Sequence, residues 1–124
     1  MWITELKSNQ IFVFGSNESG IHGAGAAKQA LEWGAVFRQG EGLQGATYAI
    51  PTKDRTVMRS LSIEEIRPYV ERFLEFAKKN TQHEFLVTEI GCGLAGLHPK
   101  DVAPLFKEVP SNVILPERFK KQLI

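Results

Sequence analysis

Two glycine-rich segments hold the residues best suited to chemistry. The first reads Phe14-Gly15-Ser16-Asn17-Glu18-Ser19-Gly20-Ile21-His22-Gly23-Ala24-Gly25-Ala26-Ala27-Lys28; it follows the apolar run Ile11–Phe14 and opens a helix-forming stretch. The second, Glu89-Ile90-Gly91-Cys92-Gly93-Leu94-Ala95-Gly96-Leu97-His98-Pro99, follows the apolar run Phe85–Thr88 and also leads into a helix start. Glycine permits tight turns and close backbone approach, and a helix start presents unpaired N–H groups and a positive dipole end. Such loops suit a phosphate or pyrophosphate. Neither fits a standard nucleotide fingerprint: Gly23-Ala24-Gly25-Ala26-Ala27-Lys28 lacks the third glycine of a dinucleotide fold, and no Gly-Lys-Ser/Thr exists for a P-loop. Taken singly, each loop reads equally well as a set of turns. Taken together, at the ends of two buried strands, they favour a ligand.

The reactive side chains are sparse. His22 lies within the first loop, where it either touches phosphate or ribose or simply faces solvent. Asn17, between strand and glycines, reads as a ligand contact or as a turn residue. Cys92 is the only cysteine and reads as a small buried hydrophobe, with no patterned His/Asn partner to make it a nucleophile. His98 flanks the helix that Pro99 opens, and His83 reads as a surface residue. These scattered histidines and the single cysteine have no metal-ligand spacing, so no metal or cofactor is expected.

Strands and helices must position these loops. The runs Ile11–Phe14, Thr47–Ile50, Phe85–Thr88 and Val113–Leu115 do not alternate polar with apolar, so each reads as a strand buried on both faces. Helical composition fills Gly25–Trp33 and stops at Gly34. Ser62-Ile63-Glu64-Glu65 is a capping box, with Leu61 and Ile66 as its hydrophobic staple, and Ile66, Val70, Phe73, Leu74 and Ala77 continue one apolar face. Pro68 lies inside that helix and predicts a bend or a late start; Pro104 similarly disturbs the helix that begins at Pro99. Gly34–Gly45, with four glycines, reads as a loop or loose crossover, and Trp2–Leu6 carries a weak edge-strand signal. Strands alternating with helices mean an open, mainly parallel α/β sheet, and in such sheets ligands lie at the carboxyl ends of the strands.

Composition sets the frame. The 124 residues fit one domain spanning 1–124, with 43% hydrophobic and 23% charged residues. Fifteen Lys+Arg against 14 Asp+Glu leave no basic excess for duplex phosphate neutralisation, although a nucleic acid gripped at one modified nucleotide stays open. A single cysteine, no signal-peptide pattern and no membrane-length apolar run together predict a cytoplasmic protein without membrane partners.

At the glycine loops the chain resembles a macrodomain, the ADP-ribose-binding α/β/α module. Strand Ile11–Phe14, Asn17 and the Gly23-Ala24-Gly25-Ala26-Ala27 helix start resemble that family's first ligand loop, and Ile90-Gly91-Cys92-Gly93-Leu94 resembles its phosphate-gripping loop. The order Ile50-Pro51-Thr52-Lys53, a helix from Ser62, then Ile-Gly-Cys-Gly-Leu is similar to the branch containing terminal ADP-ribose protein glycohydrolase and the antitoxins that reverse ADP-ribosylation of thymidine in DNA. The resemblance covers roughly residues 11 to 116. It implies a three-layer α/β/α fold with a mainly parallel sheet. It implies binding of ADP-ribose or a related NAD-derived nucleotide, with Asn17 on the distal ribose and the backbone of Gly23, Ala24, Gly25, Ala26, Gly91, Cys92, Gly93 and Leu94 on the pyrophosphate. It also implies that Lys53 is the catalytic residue of an ADP-ribosyl glycohydrolase acting on modified DNA or protein. A lysine at the lip of an apolar strand is partly desolvated, which favours its neutral, nucleophilic amine.

Two departures stand out. Nothing before Ile11 supplies the Gly-Asp motif whose acid contacts adenine, and Ala95 stands where the protein glycohydrolase has an aspartate. Ala95 leans the analogy toward the DNA-directed antitoxins, or toward a non-catalytic nucleotide-binding or sequestering module of phage or mobile-element origin.

Overall fold

The computed structural model describes residues 3–124. Its organising element is β1 (Gln10–Asn17), whose residues Ile11 to Phe14 are all buried. Strand β3 (Thr47–Lys53) pairs parallel to one side of it and β4 (Glu84–Val87) parallel to the other. Strand β5 (Val113–Ile114) extends the sheet in parallel beyond β4, and β2 (Gly42–Gln44) closes the opposite edge antiparallel to β3. The sheet order is therefore β2-β3-β1-β4-β5.

Alternation along β1 sends its side chains into two cores. Phe12 and Phe14 pack with Ala49 and with Ala27 and Ala30 of α1 (Gly25–Ala30). Ile11 and Val13 face the larger core, which takes Tyr48, Ile50, Phe85 and Val87 from neighbouring strands and Ile66, Val70, Phe73 and Ala77 from α2 (Ile63–Lys79). Both faces of the sheet thus carry helices, which is why the strand sequences are continuously apolar. The Phe73 ring lies 5.0 Å from that of Tyr48, 5.6 Å from Phe85 and 6.5 Å from Phe106, joining helix to sheet through aromatic edges.

Local signals act as their chemistry dictates. Ser62 accepts from the Glu65 N–H and Glu65 accepts from the Ser62 N–H, completing the capping box. Helix α2 starts at Ile63, without delay, and runs through Pro68. Pro104 marks the change from α3 (Pro99–Val102) to a 3-10 turn over Ala103–Phe106. Gly34 ends the 3-10 turn that follows α1 with a φ of 105°.

Other elements differ from expectation. Strands β1 and β3 run three residues beyond their apolar runs, because each continues to pair with the other. Pro51 is tolerated because β2 pairs only with Thr47–Ala49, leaving β3 without a neighbour on that side where the missing N–H would fall. The Gly34–Gly45 crossover contains β2, so it is ordered in part. Ile3–Leu6 is not a strand, and Trp2 lies outside the described residues; Ile3 and Leu6 pack instead near Phe12 and Phe14. A terminal helix, α4 (Glu117–Gln122), stacks Phe119 on Phe106 at 5.8 Å. Its single apolar anchor offers too little periodicity to read from sequence.

Removing the central ring should be costly. Phe73→Ala is expected to lower unfolding free energy by about 3–5 kcal/mol, read by urea denaturation with an unchanged m-value.

Candidate ligand-binding rim

Three loops leave the carboxyl ends of the central strands side by side. The first joins β1 to α1, the second leads from Lys53 at the end of β3 to α2, and the third leads from β4 to α3. In the sheet register Asn17 and Lys53 are Cα partners, after an irregularity between Ser16 and Asn17. The two residues are therefore brought together across the strand ends.

The loops are tied to one another by side chain to backbone bonds. Ser19 Oγ donates to the Arg55 carbonyl at 2.5 Å, joining first loop to second, and Ser60 Oγ donates to the Ala95 carbonyl, joining second to third. A Cβ on Gly15 would lie 3.2 Å from Gly91 N and 3.3 Å from Thr52 Oγ1, so the third loop crosses close above β1. Gly91 itself has a φ of 76° and would meet Leu97 at 2.9 Å. Glycine is required here for conformation as well as space. Gly15, Thr52 and Ser60 were not singled out in the sequence; a glycine inside a strand is the signal for close backbone approach that marks Gly15.

The exposed tips have a common property. Among the described residues, the N–H groups of Gly23, Ala24, Gly25 and Ala26 have no intramolecular acceptor, and neither do those of Gly93, Leu94 and Ala95. Added Cβ atoms on Gly23, Gly25 and Gly93 would meet nothing within 4 Å. Runs of open backbone donors such as these are chemically able to accept an anion. Helix α1 has only six residues, so these amides, more than a macrodipole, supply the field.

The predicted side chains take positioning roles. Asn17 is buried; its Oδ1 accepts from the Ile21 N–H and its Nδ2 donates to the Ile21 carbonyl, both at 2.9 Å. It folds the first loop. His22 is 2% exposed, with its ring edge-on to Phe14 at 5.3 Å, so it supports that loop from beneath. Its Nε2 lies 3.2 Å from Gln44 Oε1, which also accepts from the Val36 N–H at 2.7 Å. Gln44 Nε2 donates to the Gln39 carbonyl at 3.0 Å, so Oε1 faces His22, and His22 Nε2 carries the proton. Gln44 is a hub that sequence reasoning missed, because a buried glutamine has no local signature.

Lys53 is half-buried and makes no ion pair among the described residues. Asp54, its neighbour, is engaged elsewhere: Thr56 and Arg59 hold its carboxyl below the usual range. Arg59 also binds Glu65, whose carboxyl the Arg59 hydrogen bond and the Ser62 N–H hold down at about 2. The other acids near the rim are likewise partnered. Glu18 accepts from Tyr69 Oη at 2.5 Å, which with burial pushes that phenol up to about 12. Glu89 pairs with Arg118 of α4 at 2.8 Å. Cys92 is half-buried; desolvation, and secondarily the Glu89 charge, push its thiol up to about 11.

Two hollows of about 250 and 520 Å³ lie along α2, beside Leu74 and Leu105 and beside Tyr48 and Phe76, away from the loops. Among the described residues no three His, Cys, Asp or Glu side chains are grouped to hold a metal ion, and no helix is long and apolar enough to cross a membrane.

Two outcomes follow from this geometry. Gly91→Ala should cost about 1–2 kcal/mol of stability through its left-handed backbone, whereas Gly93→Ala should stay within about 0.5 kcal/mol of the parent in the same denaturation experiment. Cys92 is protonated at neutral pH, so alkylation by iodoacetamide, followed by mass spectrometry, should be slow at pH 7 and accelerate as pH approaches about 11. Comparison with protein-family models gives no match for this chain, and comparison with curated proteins gives none.

Proposed function

We propose that this chain is a macrodomain-like protein of three α/β/α layers. It binds ADP-ribose or a related NAD-derived nucleotide at the loop rim and removes ADP-ribosyl adducts from DNA or protein. The observation that carries this reading is the pair of open amide runs, Gly23–Ala26 and Gly93–Ala95, on the loops that follow the adjacent strands β1 and β4, with the Lys53 end of β3 next to β1. One diphosphate presents oxygens on both its phosphorus atoms and can accept from both runs at once. In this reading the attached sugar extends past β1 toward the end of the neighbouring β3.

Lys53 suits the hydrolytic step because it makes no ion pair with a carboxylate among the described residues. Its neutral amine forms a bond to the ribose carbon as that carbon's bond to the macromolecule breaks, the amine's proton passing to the departing group; water then breaks the lysine–ribose bond, which releases ADP-ribose and restores the amine. A second reading, a binding module without turnover, draws support from the same rim. Glu18, Asp54 and Glu89 are each partnered, so none of these three stands ready as general base.

Calorimetric titration with ADP-ribose, with AMP and NAD as controls, tests the binding. Micromolar affinity is expected, and Gly93→Leu should abolish it while leaving the fold intact, since that position opens into free space. No binding by folded protein rejects the reading. Lys53→Ala should retain ADP-ribose affinity and lose release of ADP-ribose from modified DNA or protein by at least about 100-fold. Binding with no turnover in the parent protein selects the second reading.

A further inference from the structure

We propose that Phe37, with Arg38 across its ring, is the platform on which the base of the bound nucleotide stacks, an assignment that rests on the nucleotide-binding reading above. Among the described residues Phe37 is the exposed aromatic, at 52%; the other described phenylalanines, tyrosines and Trp33 are buried or half-buried. An exposed phenylalanine is a burial forgone, and here its surroundings are fixed instead of loose. The Arg38 N–H donates to the Gly20 carbonyl at 2.8 Å, three residues before the first open amide. Ser16 Oγ donates to the Gly40 carbonyl at 2.5 Å, and a Cβ on Gly40 would lie 2.4 Å from the Asn17 carbonyl oxygen. On the other side Gln44 holds the Val36 N–H and the Gln39 carbonyl, and through His22 locks the crossover to the first loop. Phe37 is thus carried on a segment clamped to the first ligand loop at both ends.

Arg38 adds two observations. Its φ of 81° is a left-handed backbone that side chains other than glycine rarely adopt, and such strain is retained where the surroundings fix the chain. Its guanidinium carbon lies 5.7 Å from the Phe37 ring centroid. A flat ring beside a guanidinium matches the two halves of a nucleotide, a base for stacking and a phosphate for charge. Among the described residues neither the glycine loops nor Lys53 offers an exposed aromatic surface for the base.

Calorimetry on the full chain separates base from phosphate recognition, using ADP-ribose and inorganic pyrophosphate against the parent, Phe37→Ala and Phe37→Trp. Phe37→Ala should weaken ADP-ribose at least about tenfold, Phe37→Trp should restore it, and pyrophosphate affinity should be the same in all three. Unchanged ADP-ribose affinity in Phe37→Ala overturns the proposal and leaves Phe37 to an apolar contact patch with Val36 and Leu43, which are 48% and 42% exposed. Equal loss of ADP-ribose and pyrophosphate also overturns it, since Phe37 would then act only on the loop. Failure of the parent to bind either probe rejects the nucleotide reading and this proposal together; pyrophosphate binding without added affinity for ADP-ribose rejects the platform alone.

Discussion

Everything at the rim depends on the parallel pairing of β1 between β3 and β4. A strand buried on both faces and paired on both edges has no freedom to slip, because a one-residue shift would exchange Ile11 and Val13 with Phe12 and Phe14 between two differently shaped cores. Fixed register puts Asn17 beside Lys53. It also puts Gly15 beneath Gly91, the close approach that lets the third loop lie over the strand. Larger side chains at those glycines would lift the loop and separate the two amide runs.

The rim divides its labour between backbone and side chains. Donors open to a ligand are main-chain N–H groups, which carry no rotamer entropy and are oriented by the fold. The polar side chains nearby are engaged in holding that backbone: Asn17 on Ile21, Ser60 on Ala95, Ser19 on Arg55, Gln44 on the crossover. Acidic side chains are similarly tied, Glu18 to α2 and Glu89 to α4. These partners hold the Glu18 and Glu89 carboxylates in place, and among the described residues Lys53 at the end of β3 makes no ion pair. Cys92, though central in its loop, is a half-buried thiol held protonated.

Legibility in the sequence followed locality. The strand cores, the Ser62 capping box, the glycine stop at Gly34 and both glycine-rich loops could be read because each depends on neighbours a few residues away. Strand β2 escaped because its three residues pair only with a strand that follows, and α4 because Phe119 alone anchors it. For the site, the loops were legible but the orientation of their side chains was not. Asn17 reads as a ligand contact or a turn residue and His22 as a ligand contact or a solvent-facing one; in the fold Asn17 bonds back to Ile21 and His22 is buried against Phe14 and Gln44. Those partners are fixed by tertiary packing, and only Ile21 is close in the chain.

The central claim is that one diphosphate bridges the two amide runs. Proton–nitrogen correlation spectra recorded during ADP-ribose titration test it most directly, because they report each backbone N–H separately. The account predicts that the amide resonances of Gly23–Ala26 and Gly93–Ala95 shift together along one saturation curve, with little change along α2. Shifts confined to one run, or centred on the hollows beside α2, would contradict it.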